Sequence, residues 1–257
     1  MPRISASLRP KARKVAIAEL VTRRGKVTVE ELADRFSASP ETVRRDLNAL
    51  ADSGQIRKIH GGAVRLVSSQ EGAFDERLRT NTLAKQLVAE KLVKTIAPGQ
   101  SLFIDTGTTT LICSEALARI QDLTVITNST RIASVFSERG NSTTVVLLGG
   151  TYRHENAQTI GATTLAELGR YRPDLALLTV GTLDARGAYD FSQEEAQVAR
   201  AMVEAAVRVT IVSDTSKLNK QATFQVCDLN EIDKLILEKA PDEELQTALV
   251  RAGVEVL

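Results

Sequence analysis

The stretch SPETVRRDLN (39–48) sets hydroxyls, two adjacent guanidinium groups and an amide in ten consecutive residues. Thr42 has the reach for a phosphate or a thymine methyl, and Arg44 or Arg45 the fork that pairs bidentately with guanine. Asn48 stands one turn beyond Arg44, and Ser39 opens the stretch. Arg57, Lys58 and His60 form a second cationic group suited to flanking backbone or minor groove. The chemistry these types share is recognition of duplex DNA. Any one of these cations alone reads as an ordinary solvated charge. Their gathering beside a capped helix start is what points to DNA.

A second collection is spread over a hundred residues: Asp105, Gly107, Thr108, Thr109, Asn128, Ser129, Gly149, Gly150, Arg153 and Lys217. Hydroxyls, amides, glycines and two cations suit the holding of a small, hydroxylated, anionic molecule. Gly107 lets backbone approach closely, and the threonines can open a helix whose N–H groups face an anion. DTGTTT (105–110) is neither a Walker A loop nor GxGxxG, so a nucleotide is not favoured. His154 and Glu155 read as plain loop residues beside Arg153. No cofactor or metal is expected.

Elements must bring these groups together. ARKVAIAELVT (12–22) reads as a helix ended by Gly25. TVEELADRF (28–36) opens on Thr28 and Glu31 in capping-box spacing. A third helix starts with Ser39 as N-cap and Pro40 at its first position, with Val43, Leu47 and Leu50 as its buried stripe. Only SAS separates helices two and three, which forces a helix-turn-helix crossing. QIRKIHGGAVRL (55–66) then reads as a two-stranded wing.

Beyond the linker (67–82), residues 83–97 read as an amphipathic helix packing on the body or on a second subunit. Strand-like SLFID, LTVIT, TTVVLLGG, DLALLTVGT, RVTIVSD and KLILE alternate with helical segments. Near-continuous β-branched runs of this kind imply a parallel sheet buried on both faces. The second collection falls just past the C-terminal ends of these strands, where open α/β sheets bind ligands. The fold class expected is α/β: a winged helix-turn-helix (1–66) joined to a Rossmann-like effector and oligomerisation domain (83–257).

The whole-chain numbers agree. Of 257 residues, 43% are apolar and 25% charged, enough for a real core. Residues 1–66 hold 14 Lys and Arg against 7 Asp and Glu, a net of +7. The other 191 hold 19 against 25, a net of −6, so a polyanion meets the head only. No apolar run is long enough to span a membrane, and no h-region follows the basic start. Cys113 and Cys227 read as reduced core thiols, consistent with a cytoplasmic protein.

Residues 27–64 resemble the winged helix-turn-helix of the DeoR family of bacterial transcriptional regulators. The resemblance rests on S-x-x-T-V-R-R-D-L-x-x-L followed by H-G-G-A, and continues through F-x-x-R…K in FDERLRTNTLAKQLVAEKL (74–92). D-T-G-T-T, V-I-T-N-S, L-L-G-G-x-Y-R, Gly161 and D-x-S-K are similar to that family's effector domain. The resemblance implies a fold like that of sugar-phosphate isomerases and an effector that is a phosphorylated sugar. It departs at GTLDARGAYDFSQEEAQ (181–197), where the variable part of such a pocket lies.

Two functions fit. One is a repressor of a carbohydrate-catabolism operon, a homo-oligomer (dimer or tetramer) that reads paired half-sites and is released by a sugar phosphate. The other is a sugar-phosphate isomerase carrying a DNA-binding head. That chemistry needs a general base such as Asp184, Asp190, Glu194 or Glu195, with Lys217 as electrostatic partner. The isomerases' carboxylate cluster does not map onto this chain, which favours the sensor.

Overall fold

The computed structural model describes residues 10–52, 56–59, 61–65, 72–138 and 142–257. It forms two compact units, Met1–Ser68 and Ser69–Leu257.

The first unit contains α1 (Pro10–Arg24), β1 (Lys26–Thr28), α2 (Val29–Phe36), α3 (Pro40–Asp52), β2 (Ile56–Ile59) and β3 (Gly62–Arg65). The capping box at Thr28 forms as its spacing requires. Thr28 Oγ1 accepts the Glu31 N–H at 3.1 Å, and Glu31 Oε2 accepts the Thr28 N–H at 2.8 Å. Leu32, Phe36, Val43, Leu47 and Leu50 are buried against Ile17, Leu20 and Val21 of α1. The wing differs from the two-stranded expectation. KVT at 26–28 is a third strand, giving the order β1-β3-β2. Three residues after a helix carry too little periodicity to be read as a strand; pairing with β3 defines them. Gly62 sits at that seam, where an added Cβ would lie 2.2 Å from the Val27 carbonyl oxygen.

The second unit begins with α4 (Phe74–Arg79) and α5 (Thr82–Val93). The sequence assigned residues 67–82 to a linker, yet 74–79 form a helix whose Phe74 is buried in this unit. Likewise the helix expected over 83–97 ends at Val93. There follow β4 (Ser101–Ile104), α6 (Thr108–Leu117), β5 (Thr124–Thr127), α7 (Thr130–Glu138), β6 (Thr144–Leu147), β7 (Thr151–Arg153), β8 (Gln158–Ile160) and α8 (Ala162–Leu168). The chain continues through β9 (Leu175–Leu178), β10 (Thr182–Asp184), β11 (Gly187–Asp190), α9 (Gln193–Ala205), β12 (Val209–Val212), β13 (Phe224–Cys227), β14 (Lys234–Ile236), α10 (Glu243–Ala252) and β15 (Glu255–Val256).

Seven strands form one parallel sheet in the order β15-β14-β12-β9-β4-β5-β6. Register sends alternate residues to opposite cores. Leu102, Val125 and Leu175 pair across strands and pack under α5, α6 and α7. Their neighbours Phe103, Ile126 and Ala176 face the core that holds Leu168, Met202 and Leu245. Two covered faces explain the unbroken apolar runs. Two small antiparallel sheets, β7-β8 and β10-β11-β13, fall almost wholly outside the strand-like runs of the sequence.

The strand order reverses direction at β4. The chain runs β4-β5-β6 one way, then crosses to β9-β12-β14 on the other side. β4 and β9 are therefore neighbours with opposite-going connections, the place where such sheets open a crevice. Among the described residues, no helix is long and apolar enough to cross a membrane.

Candidate functional site

In the first unit, Ser37 turns the chain with φ +49° and Ser39 caps α3. Ser39 Oγ accepts the Thr42 N–H at 3.2 Å and lies 2.9 Å from Thr42 Oγ1. Val43, Asp46, Leu47 and Leu50 turn inward, so Arg44, Arg45 and Asn48 are exposed on the opposite side. Arg44 stands 3.5 Å from Glu41, a solvent-screened contact that leaves the guanidinium available. Lys58 Nζ on β2 donates to Asn48 Oδ1 at 2.7 Å, tying wing to helix. The side chain of Arg57, and His60 as a whole, lie outside the described residues. Ser39→Ala should cost about 1 kcal/mol of this unit's stability, measured by urea unfolding, because an orphan N–H loses its acceptor.

The neighbour Asp46 was not singled out by its sequence. It is buried and accepts from Arg13 Nε at 2.6 Å, each side chain only 9% exposed.

In the second unit the loop after β4 enters the crevice. Asp105 is buried, and its two oxygens accept the Thr179 N–H at 3.1 and 3.2 Å. Burial pushes its carboxyl well above the ordinary carboxylate range; the Thr179 N–H opposes that, Asp190 adds to it, Lys217 opposes and Glu195 adds. Those influences place Asp190, Glu195 and Lys217 in one electrostatic neighbourhood with Asp105. Lys217 Nζ also donates to the Val180 carbonyl at 3.0 Å. Gly107 is required by proximity, since a Cβ there would meet Thr179 Cγ2 at 2.0 Å. Thr108 and Thr109 form the buried first turn of α6, which has no side-chain cap. The hydroxyls of Thr109 and Thr179 are buried with no hydrogen-bond partner among the described residues. Orphan buried hydroxyls call for a ligand or water.

The other expected contacts are built into the surroundings. Asn128 is buried, accepting from Thr106 Oγ1 at 3.2 Å and donating to the Thr159 carbonyl at 3.0 Å. Ser129 Oγ accepts the Ile132 N–H at 3.4 Å in the first turn of α7. The Gly149 N–H donates to Glu167 Oε2 at 2.8 Å. Gly150, at φ +144°, leaves no room for a Cβ, which would lie 2.1 Å from Thr164 Oγ1. Arg153 is exposed, 3.2 Å from Glu194, and lines an open cleft of about 800 Å³ with Phe74, Arg77, Asn156, Gln158 and Glu195.

Thr179, Gln158 and Asn156 had no local signal, because each gains its meaning from a residue far off in sequence. The carboxylates weighed as a base are otherwise engaged. Arg186 binds Asp184 at 2.9 Å and, against the upward push of burial, holds it below the ordinary range. Asp190 Oδ1 accepts the Phe191 N–H at 2.6 Å. Together the groups can hold an anion with hydroxyls.

Comparison with known proteins agrees with both units. Residues 13–69 match the DeoR-like helix-turn-helix domain and residues 80–239 the DeoR C terminal sensor domain. The chain is 34% identical to the HTH-type transcriptional regulator GlpR of Haloferax volcanii over 96% of this chain and 97% of that one. It is 32% identical to the Glycerol-3-phosphate regulon repressor of Escherichia coli, over 93% and 95%. Ribose 5-phosphate isomerase A from Methanocaldococcus jannaschii is a distant likeness, 15% identical with a TM-score of 0.41 over 55% of this chain and 56% of that one, too slight to bear on function. The chain belongs to the DeoR family, a family of DNA-binding transcriptional regulators and not of enzymes, and joins that family's helix-turn-helix to its sensor domain.

Proposed function

We propose that the protein represses a carbohydrate-catabolism operon in the cytoplasm and leaves its operator when a phosphorylated sugar or polyol fills the crevice at Asp105–Thr109. The observation that carries the effector half is the pair of orphan hydroxyls, Thr109 and Thr179, beside the uncapped start of α6. Uncapped N–H groups and the helix dipole attract a phosphate, and hydroxyls complete its shell. The relative in Escherichia coli, named a Glycerol-3-phosphate regulon repressor, supports the same ligand class. Asn128, Ser129, Gly149, Gly150, Arg153 and Lys217 complete the proposed lining or its frame. Paired heads on a dimer or tetramer read paired half-sites.

A thermal-shift panel tests this: glycerol 3-phosphate, fructose 1-phosphate, fructose 6-phosphate and glucose 6-phosphate, each beside its neutral parent. At least one phosphate should raise the melting temperature and weaken binding to a duplex selected from a random pool. A response to neutral parents alone would defeat the reading. On the DNA side, Lys58→Ala should weaken duplex binding evenly across sequences and reduce the slope of log K against log salt by about 1. An unchanged slope would remove Lys58 from the interface.

A further inference from the structure

Two rows of donors converge on one carboxylate oxygen. From the effector loop, Thr106 Oγ1 donates to Asn128 Oδ1 at 3.2 Å, Asn128 Nδ2 to Gln158 Oε1 at 3.4 Å, and Gln158 Nε2 to Glu195 Oε1. From the other side, Arg77 Nη2 donates to Asn156 Oδ1 at 3.0 Å, and Asn156 Nδ2 to the same Glu195 oxygen at 2.6 Å. Each amide accepts with its oxygen and donates with its nitrogen, so turning any one breaks its row on both sides. Glu195 lies in the first turn of α9, where the helix dipole favours its negative charge.

Arg77 belongs to α4, the first helix after residues 66–71, which lead from the DNA-binding unit. With six residues and no side-chain N-cap bond, α4 cannot hold itself as a helix. Tertiary ties hold it. Phe74 is buried, with the Arg77 and Arg131 guanidinium groups 5.4 and 4.5 Å from its ring centre. The buried Lys85 donates to the Arg77 and Thr80 carbonyls at 2.5 and 2.9 Å, closing the C-terminal end of α4. Asn81 Nδ2, just past α4, donates to Asp214 Oδ1 at 3.0 Å and Ser216 Oγ at 2.9 Å, beside Lys217. The C-terminal end of the helix is thus tied to Asp214 and Ser216, the neighbours of Lys217.

We propose that α4 reports effector occupancy to the DNA-binding unit, with Glu195 as the junction of its tether; this rests on reading the Asp105–Thr109 crevice as the effector site. A ligand oxygen that takes the Thr106 hydroxyl removes the donor that orients Asn128 Oδ1, and the Asn128 amide settles on the Thr159 carbonyl, the nearer of its two acceptors. Gln158 then loses its donor and shifts on Glu195, the carboxylate and Asn156 follow, and α4 loses its Arg77 tie, which loosens a helix left on Phe74, Lys85 and Asn81. The ligand binds the tied and untied states unequally, which is the condition for coupling, and α4 is the two-state element that coupling requires.

Asn156→Leu cuts the tether without altering residues 105–109. In the full chain without ligand, amide exchange across 74–79 should rise at least about tenfold while α10 is unchanged, the mark of a local opening. The probe is whichever panel phosphate gives the largest thermal shift. Measured at saturating probe, so that any change in affinity drops out, the weakening of duplex binding should shrink at least about fivefold. Arg77→Met should act alike from the α4 side, and replaces Asn156→Leu if that variant fails to fold. Unchanged exchange across 74–79, or full probe-induced release in the variants, overturns the coupling but leaves the effector site standing. An unaltered chain that binds no panel phosphate overturns the effector reading and the coupling with it.

Discussion

The double variant Arg44→Ala, Arg45→Ala is expected to bind its operator at least about 100-fold more weakly than the unaltered chain at fixed salt, since one good arginine–guanine pair is worth about 1–3 kcal/mol. Both side chains are exposed near the capped start of α3, the end of a recognition helix that meets base edges. Neither supports the core, which is carried on that helix by Val43, Leu47 and Leu50. Urea unfolding of the double variant should therefore stay within about 0.5 kcal/mol of the unaltered chain. The sensor unit should still respond to its phosphate in the thermal-shift panel. Fluorescence anisotropy at one salt concentration separates the outcomes: a change in Kd below about fivefold would place the recognition surface elsewhere.

One residue further along, substitution acts through stability. Asp46→Ala should destabilise the first unit by about 3–5 kcal/mol, because it removes one member of a buried ion pair. A core of fewer than about 70–80 residues rarely supplies more than about 3–5 kcal/mol, so operator binding disappears through unfolding rather than through a lost contact. Circular dichroism and differential scanning calorimetry should show the first unit melting early and the second at its usual temperature. Arg13→Met combined with Asp46→Leu should recover most of the loss, since a buried ion pair is often replaceable by apolar groups of similar size. An Asp46→Ala variant as stable as the unaltered chain would mean that water reaches the pair.

The contrast between neighbours shows where sequence reading works. Ser39, Pro40, Val43 and Leu47 act within four residues of one another, so helix geometry turns their spacing directly into a start, a buried face and an exposed face. The capping box at Thr28 is local in the same way and was legible for that reason. The parallel sheet was legible as well, because strands buried on both faces lose the polar alternation. What local spacing hid were pairings in which one partner has no pattern of its own. β1 is three residues that become a strand only against β3. α4 looked like a linker, and tertiary ties rather than propensity make it helical.

By itself the sequence determined the capped α3 with its outward arginines, the alternation that builds a doubly covered sheet, and which polar residues stand at the strand ends. The tertiary structure alone decided that β4 lies beside β9, so that Asp105 meets the Thr179 N–H 74 residues away and Gly107 comes up against the Thr179 side chain. It also decided that Arg13 closes on Asp46, and that Glu195 receives Asn156 and Gln158. Strand order and long-range hydrogen bonds follow from packing two whole faces of a sheet at once. No window of a few residues contains the competing arrangements among which that packing selects.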